Sequence, residues 1–283
     1  MDSIKNILVP VDFSTESYCG LRAANSFAQK FEGKVHLVHF LLPTDNVKDL
    51  DPKHAVLDKE DELRQDQLDQ ESQQALTELK SISERTLAPS VQGEVFAVAS
   101  NISKSFEEFM KETEMDLVIS GTSGSRNIFE FFKGNRTENI LQDADVPLLV
   151  VSNYGDLFID DIMIATDLGK KIPFKSLEIC KFFQANGAKL HFVNVIATKL
   201  ITEEEVKEKI ENLAGKAGIE GYETHIIRDD KEFDGIMAVI KEIKPGLVLM
   251  KTYAKSQFWT FIVGSLTEKV MRETDIPVLA EKV

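Results

Sequence analysis

The sequence predicts an α/β protein made of two tandem copies of a five-stranded, mainly parallel sheet flanked by helices. Short apolar runs alternate with amphipathic segments, as expected for strands that are covered by helices on both faces. The same order of segments occurs twice along the chain. The length of 283 residues also suits two domains of ordinary size.

The strands and helices of the first copy follow from these patterns in chain order. Apolar runs predict strands near residues 6–11, 34–40, 94–98, 116–120 and 147–151. Ser14 is a candidate N-cap for a helix that continues to residue 31, and residues 102–112 form another amphipathic segment. Alternating strands and helices favour parallel strands joined by right-handed crossovers.

Comparison of the chain with itself locates the second copy. The run ILVPVDF at residues 7–13 resembles IMIATDL at residues 162–168, which lies 155 positions later. The same spacing aligns 35–40 with 190–195, and a spacing of 130 aligns 116–119 with 246–249, 134–138 with 264–268 and 146–149 with 276–279. The second copy therefore lacks 25 residues, which we place between its second and third strands. We expect domains at residues 1–153 and 158–283.

Composition and charge exclude several classes of function. The 47 acidic residues outnumber the 33 basic residues, which gives a formal net charge of −14. Such a surface repels phosphate backbones and anionic lipid, so we expect neither a nucleic-acid partner nor a membrane partner. The beginning of the sequence has no signal-peptide pattern, and no apolar run is long enough for a membrane helix. We therefore expect a cytoplasmic protein.

Glycines and polar residues follow the predicted strands where ligands are expected. In open α/β sheets, ligands bind outside the carboxyl ends of the strands, which selects the loops after Asp12, Phe40 and Ser120. Glycine allows close approach of a ligand to the backbone, and its N–H groups can meet phosphate oxygens. The sequence thus predicts a phosphate cradle that faces a carboxylate. The cradle comprises Gly121, Gly124 and Gly134, followed by Asn135, Arg136 and Thr137 at the start of a helix.

Three motifs together resemble the universal stress protein family over nearly the whole chain, as two tandem copies. They are Pro10-Val11-Asp12-Phe13-Ser14, the spacing Gly121-x2-Gly124-x9-Gly134-Asn135, and DVPLLVV at residues 145–151. The resemblance implies a Rossmann-like fold of the adenine-nucleotide α-hydrolase type. It also implies ATP or AMP as the ligand, with or without Mg. The pattern of nucleotide-binding members ends in Ser or Thr, where this chain has Asn135, which keeps a side-chain donor.

The resemblance also implies roles for individual residues. Asp12 would hold the ribose, Pro10 and Val11 would line the adenine, and Phe40 would present its backbone to the base. The ribose and phosphates would meet Ser120, Gly121, Ser123 and Gly124. The phosphate tail would be closed by Gly134, Asn135, Arg136 and Thr137.

The second copy keeps only part of this pattern. Asp167, Gly264 and Ser265 remain, whereas Lys251 and Ala254 stand where the first copy has Gly121 and Gly124. A side chain at position 251 would block close approach of a nucleotide, although the lysine could instead serve a smaller anion. We expect this second site to be lost and its domain to be kept as a structural partner.

Other chemistry finds little support in the sequence. The histidines form no HxxxH or HExxH motif, so core or surface positions are the expectation and no metal site is predicted. No acid–histidine set accompanies Ser123, and the P-loop lysine motif is missing, so we expect no enzyme, with slow ATP hydrolysis left open.

Two functional hypotheses therefore stand. The leading one is a stress-response protein that binds an adenine nucleotide in its first domain as a regulatory or structural ligand. The alternative is an interaction scaffold of the same fold that binds no nucleotide. Members of the family commonly dimerise through the fifth strand, so we expect an intrachain pseudo-dimer, with a homodimer also open.

Overall fold

The computed structural model describes residues 4–41, 59–99, 113–121, 146–152, 157–169, 172–197, 200–252 and 266–282. Within these ranges the chain forms ten strands and six α-helices. The strands are β1 (Asn6–Pro10), β2 (Lys34–Leu41), β3 (Gln92–Ala99), β4 (Leu117–Gly121), β5 (Leu148–Val151), β6 (Asp161–Ala165), β7 (Lys189–Ile196), β8 (Tyr222–Arg228), β9 (Leu247–Thr252) and β10 (Val278–Lys282). The helices are α1 (Thr15–Phe31), α2 (Lys59–Thr86), α3 (Phe174–Ala185), α4 (Glu203–Ala217), α5 (Glu232–Ile243) and α6 (Leu266–Glu273).

All ten strands belong to one sheet, in the order β3-β2-β1-β4-β5-β10-β9-β6-β7-β8. Each half is parallel, and the halves meet where β5 and β10 pair in antiparallel fashion, with Leu149 opposite Leu279. The predicted fold of two tandem five-stranded, mainly parallel sheets flanked by helices is confirmed, and the structure joins the two sheets into one. The physical reason is that each half alone would leave an unpaired apolar edge strand. The backbone N–H and C=O groups of the two edge strands, β5 and β10, bond each other instead. The intrachain pseudo-dimer is confirmed.

Local sequence explains the helix that follows β1. Ser14 has extended backbone angles, and its side chain accepts the N–H of Ser17, which makes Ser14 the N-cap of α1. The helix ends where Glu32 adopts a left-handed conformation with φ of 55°. The predicted boundaries of this helix are therefore confirmed, whereas the predicted helix at 102–112 lies outside the described residues.

The difference in length between the copies lies where the repeat spacing placed it. Between its second and third strands the first half carries α2, which has 28 residues, whereas the second half carries α4, which has 15 residues. Helix α4 begins with a capping box, in which the Thr202 and Glu205 side chains bond each other's backbone N–H groups.

Two apolar layers cover the two faces of the sheet. Alternate residues of β1 show the division, because Ile7 and Val9 join the layer that contains α1 and α3, whereas Leu8 joins the other. Both cysteines, Cys19 and Cys180, are buried, as expected for small apolar side chains. Among the described helices, none combines the length and the hydropathy that crossing a membrane requires.

Candidate functional site

The predicted site residues lie at a topological switch point of the sheet. The chain passes from β1 to β2 and β3 on one side and then crosses to β4 on the other side of β1. Asp12 follows the carboxyl end of β1, and Ser120 and Gly121 end the neighbouring strand β4. Ligands of open α/β sheets bind at such crevices. The equivalent crevice of the second half lies between β6 and β9.

The loop after β1 fixes the position of the exposed Asp12 carboxylate. Oδ1 of Asp12 accepts hydrogen bonds from the backbone N–H of Ser14, at 3.0 Å, and from the Ser14 hydroxyl. Phe13, between them, has a φ of 61°, in the left-handed region that non-glycine residues rarely adopt. Because Ser14 also caps α1, the carboxylate is held at the start of this helix.

The second half repeats this turn closely. Oδ1 of Asp167 accepts the N–H of Gly169 at 2.9 Å, and Leu168 between them has a φ of 60°. The residue before each aspartate is also fixed in the same way. The carbonyl of Val11 meets Nδ1 of His39 at 2.7 Å, and the carbonyl of Thr166 accepts from Nδ2 of Asn194 at 2.7 Å. The copies therefore differ in what surrounds the carboxylate, not in the turn that presents it.

The carboxyl end of β4 is where the copies diverge. The backbone carbonyl of Glu16, in α1, occupies the position where a Cβ of Gly121 would lie. A Cβ on Gly20 would in turn lie 2.8 Å from the backbone nitrogen of Gly121. Gly121 thus allows α1 to dock on β4, a packing role that the sequence analysis did not anticipate beside its predicted role toward a ligand.

In the second crevice an ion pair between a buried lysine side chain and an exposed aspartate occupies the equivalent place. Helix α3 begins at Phe174, seven residues after Asp167, whereas α1 begins three residues after Asp12. The Lys251 side chain is only 7% exposed and forms an ion pair with Asp167. The lysine therefore engages the carboxylate that the repeat places where a ribose would bind, and loss of the second site stays a prediction.

The second crevice also carries additional negative charge. Partial burial raises the pKa of Glu232, the first residue of α5, and the negative charge of Asp167 raises it further. Glu232 therefore lies close enough to Asp167 for their charges to interact.

Three further predicted residues are placed by the structure. Pro10 and Phe40 are buried, and β2 continues one residue beyond Phe40. The Val11 side chain belongs to the core, and its backbone N–H donates to the Val38 carbonyl. Contact of Val11 with an adenine accordingly stays a prediction.

The structure brings together only the half of the predicted site that surrounds β1 and β4. Ser123, Gly124, Gly134, Asn135, Arg136 and Thr137 lie outside the described residues, as do Ala254, Gly264 and Ser265 of the second copy. Their predicted roles stay predictions.

His39 is a site residue to which the sequence analysis gave no role. Besides bonding the Val11 carbonyl, its ring packs on Phe13 with 4.5 Å between ring centroids. The repeat could have indicated this role, because Asn194, the equivalent residue of the second copy, also has a side chain that can donate a hydrogen bond. His39 therefore positions the backbone that precedes Asp12.

Comparisons with known proteins identify the family of this chain. The model of the universal stress protein family matches residues 3–152 and 160–282. The universal stress protein MJ0531 of Methanocaldococcus jannaschii is 26% identical over 148 residues, which cover 52% of this chain and 81% of that protein.

Solved structures share the architecture of the chain. A universal stress protein from Archaeoglobus fulgidus is 23% identical, covers 99% of this chain and 97% of its own, and has a TM-score of 0.67. A protein of unknown function from Pseudomonas aeruginosa, PA1789, is 17% identical, covers 99% of this chain and 92% of its own, and has a TM-score of 0.58. At these identities the likeness establishes the fold.

Proposed function

Because the chain belongs to the universal stress protein family, we propose that its first half binds ATP or another adenine nucleotide. The nucleotide acts as a regulatory or structural ligand in a stress response. The observation that carries this proposal is the exposed Asp12 carboxylate at the switch point beside β4. The equivalent Asp167 is instead paired with Lys251.

The residues of the first half suit such a ligand chemically. The Asp12 carboxylate accepts hydrogen bonds, as the two hydroxyls of a ribose require. The predicted cradle from Gly124 to Thr137 includes Arg136, a cation that pairs well with phosphate. A local positive charge matters here because the chain as a whole carries −14. Mg would offset the charge of an ATP triphosphate in the same way.

We propose binding without efficient turnover. The sequence contains no G-x-x-x-x-G-K-[ST] motif, whose lysine and hydroxyl serve phosphoryl transfer in P-loop enzymes. The alternative function is a scaffold that binds partner proteins and no nucleotide, and it is motivated by Asn135 and by the incomplete motif of the second copy.

Calorimetric titration with ATP and Mg tests the proposal. We expect about one nucleotide per chain, and we expect Asp12→Ala to weaken binding at least about tenfold, which corresponds to about 1.4 kcal/mol. Asp167→Asn is the matched control from the second copy, and it should leave nucleotide affinity unchanged. Thermal unfolding of each variant without nucleotide verifies that it is folded.

The number of nucleotides bound per chain distinguishes the proposed function from its alternatives. Two nucleotides per chain would show that the second crevice binds despite Lys251. No binding at millimolar ATP by the folded wild-type chain would refute the proposal and favour the scaffold. Rapid magnesium-dependent release of phosphate would contradict the absence of turnover.

A further inference from the structure

A second cluster of functional side chains lies on β7 and β8, away from the crevice at the carboxyl ends of β6 and β9. His191 Nδ1 lies 3.1 Å from His225 Nε2, and these atoms lie 3.6 and 3.9 Å from Glu223 Oε2. Zinc bonds of about 2.0–2.2 Å in tetrahedral geometry separate ligand atoms by about 3.3–3.6 Å. The three atoms are therefore already near the spacing that one such ion requires.

The sheet itself creates this convergence. Strands β7 and β8 are parallel neighbours, with His191 opposite Glu223, and His225 lies two residues beyond Glu223. Residues two apart on a strand share a face, so all three side chains project to the same side. The chain separates these ligands by 32 and 2 positions, which explains why no linear metal motif revealed them.

A carboxylate orients the most buried of the three ligands. The His191 side chain is 6% exposed, and its Nε2 lies 2.8 Å from Oδ1 of Asp161, on β6. When Nε2 donates its proton to this carboxylate, Nδ1 is left with a lone pair directed at His225 and Glu223. Histidines that bind metals commonly donate their other ring nitrogen to a carboxylate in this way, which fixes the ring and its tautomer.

The first half provides an internal comparison at the same place in the sheet. His36 is the repeat equivalent of His191, but its Nε2 faces the neutral Asn6 side chain at 3.3 Å. Its Nδ1 accepts the backbone N–H of Glu94 at 3.2 Å, and its ring stacks near Phe96. The first half therefore keeps the histidine without the ligand set, so the fold does not require the second histidine or the orienting aspartate.

We propose that His191, Glu223 and His225 bind a divalent transition metal ion of the zinc type, with Asp161 as the positioning residue for His191. Two imidazoles and one carboxylate suit zinc and its neighbours better than magnesium or calcium. The Glu223 side chain is 61% exposed, so solvent or a further ligand completes the coordination from that side. Because β8 is an outer strand of the sheet, the ion would tie this edge to β7.

Titration of the untagged, chelator-treated full chain with Zn²⁺ tests the site, with Co²⁺ as the spectroscopic probe. We expect one ion per chain and the intense visible absorption of four-coordinate Co²⁺. Phe96 lies opposite Val38, as His225 lies opposite Val193, the repeat equivalent of Val38. His225→Phe therefore introduces the residue type of the first half and should lower Zn²⁺ affinity at least about 100-fold. Asp161→Asn, likewise the first-half residue type, should lower it about 10- to 100-fold. His36→Asn is the matched control and should change nothing.

Folding of the variants is verified by thermal unfolding without metal, and Glu223→Gln gives a second variant at an exposed position. If His225→Phe is unfolded, a loss of Zn²⁺ affinity in folded Glu223→Gln supports the proposal. The proposal is overturned if the wild-type chain binds no ion at micromolar Zn²⁺, or if the folded ligand variants bind as tightly as the wild type. An equal loss of Zn²⁺ affinity in the control variant His36→Asn would also overturn the proposal.

Discussion

Asp12 and Asp167 lie in the same type of turn, but their carboxylates have different neighbours. Both carboxylates accept a backbone N–H two residues further on. In the second half the carboxylate also meets the buried ammonium of Lys251, whose side chain is 7% exposed. A buried ammonium is costly unless it is paired, so Asp167 contributes to the stability of this half by pairing with Lys251.

A double-mutant cycle on Asp167→Asn and Lys251→Met measures this coupling. We expect an interaction free energy of about 0.5–3 kcal/mol in chemical denaturation, because the Lys251 side chain is removed from solvent although Asp167 stays 35% exposed. Each single variant should be less stable than the wild type, and the double variant should recover much of the loss.

The pair between Lys181 and Glu178 on α3 is the control for this cycle. It is an i, i+3 pair with side chains 22% and 51% exposed. Solvent screens such pairs, so its coupling should be below about 0.5 kcal/mol. Equal couplings for the two pairs would contradict the view that burial of the Lys251 side chain strengthens its pairing with Asp167.

Among the elements, α1 packs closely on β4, a strand that borders the first crevice. The helix begins just after Asp12, and its backbone contacts the end of β4 through Gly20 and Gly121. Gly20→Ala would place a Cβ 2.8 Å from the backbone nitrogen of Gly121. Backbone cannot yield as a flexible side chain does, so we expect this variant to be destabilised by about 1–3 kcal/mol in urea denaturation.

Gly215 of α4 is the matched control. A Cβ at this helical position would meet no atom within 4 Å. Alanine restricts the unfolded chain more than glycine does, so Gly215→Ala should stabilise the protein by about 0.5–1 kcal/mol. Stabilisation by Gly20→Ala as well as by Gly215→Ala would show that helix propensity, rather than the contact with β4, governs Gly20.

Elements whose cause is local could be predicted from the sequence, whereas contacts between elements could not. The N-cap at Ser14 and the buried runs of β1 and β4 follow from residues next to one another in the chain. The packing role of Gly121 depends on Glu16, and the His191 cluster depends on the register of β7 with β8. Asp12 was predicted because strand ends and ligand sites coincide in this class of sheet, a rule that needs only topology.

At the scale of the whole molecule, the two halves share both the sheet and the core. The β5–β10 ladder makes the sheet continuous, and both apolar layers contain residues of both halves. Helices α1 and α3 also meet directly, since the rings of Phe31 and Phe182 stack with 3.9 Å between their centroids. Separating the halves would expose this apolar surface and two bare strand edges.

We therefore expect the halves to unfold as one cooperative unit. Leu37→Ala removes a fully buried side chain of β2, which is separated from β10 by three strands, and should cost about 2–5 kcal/mol. Hydrogen exchange followed through a urea series reports each half separately. Core amides of β6 and β7 should lose as much protection as those of β1, because the global opening of one unit exposes both. Unchanged protection in β6 and β7 would show instead that the second half is stable independently of the first. The β5–β10 ladder would then join the halves without coupling their free energies of unfolding.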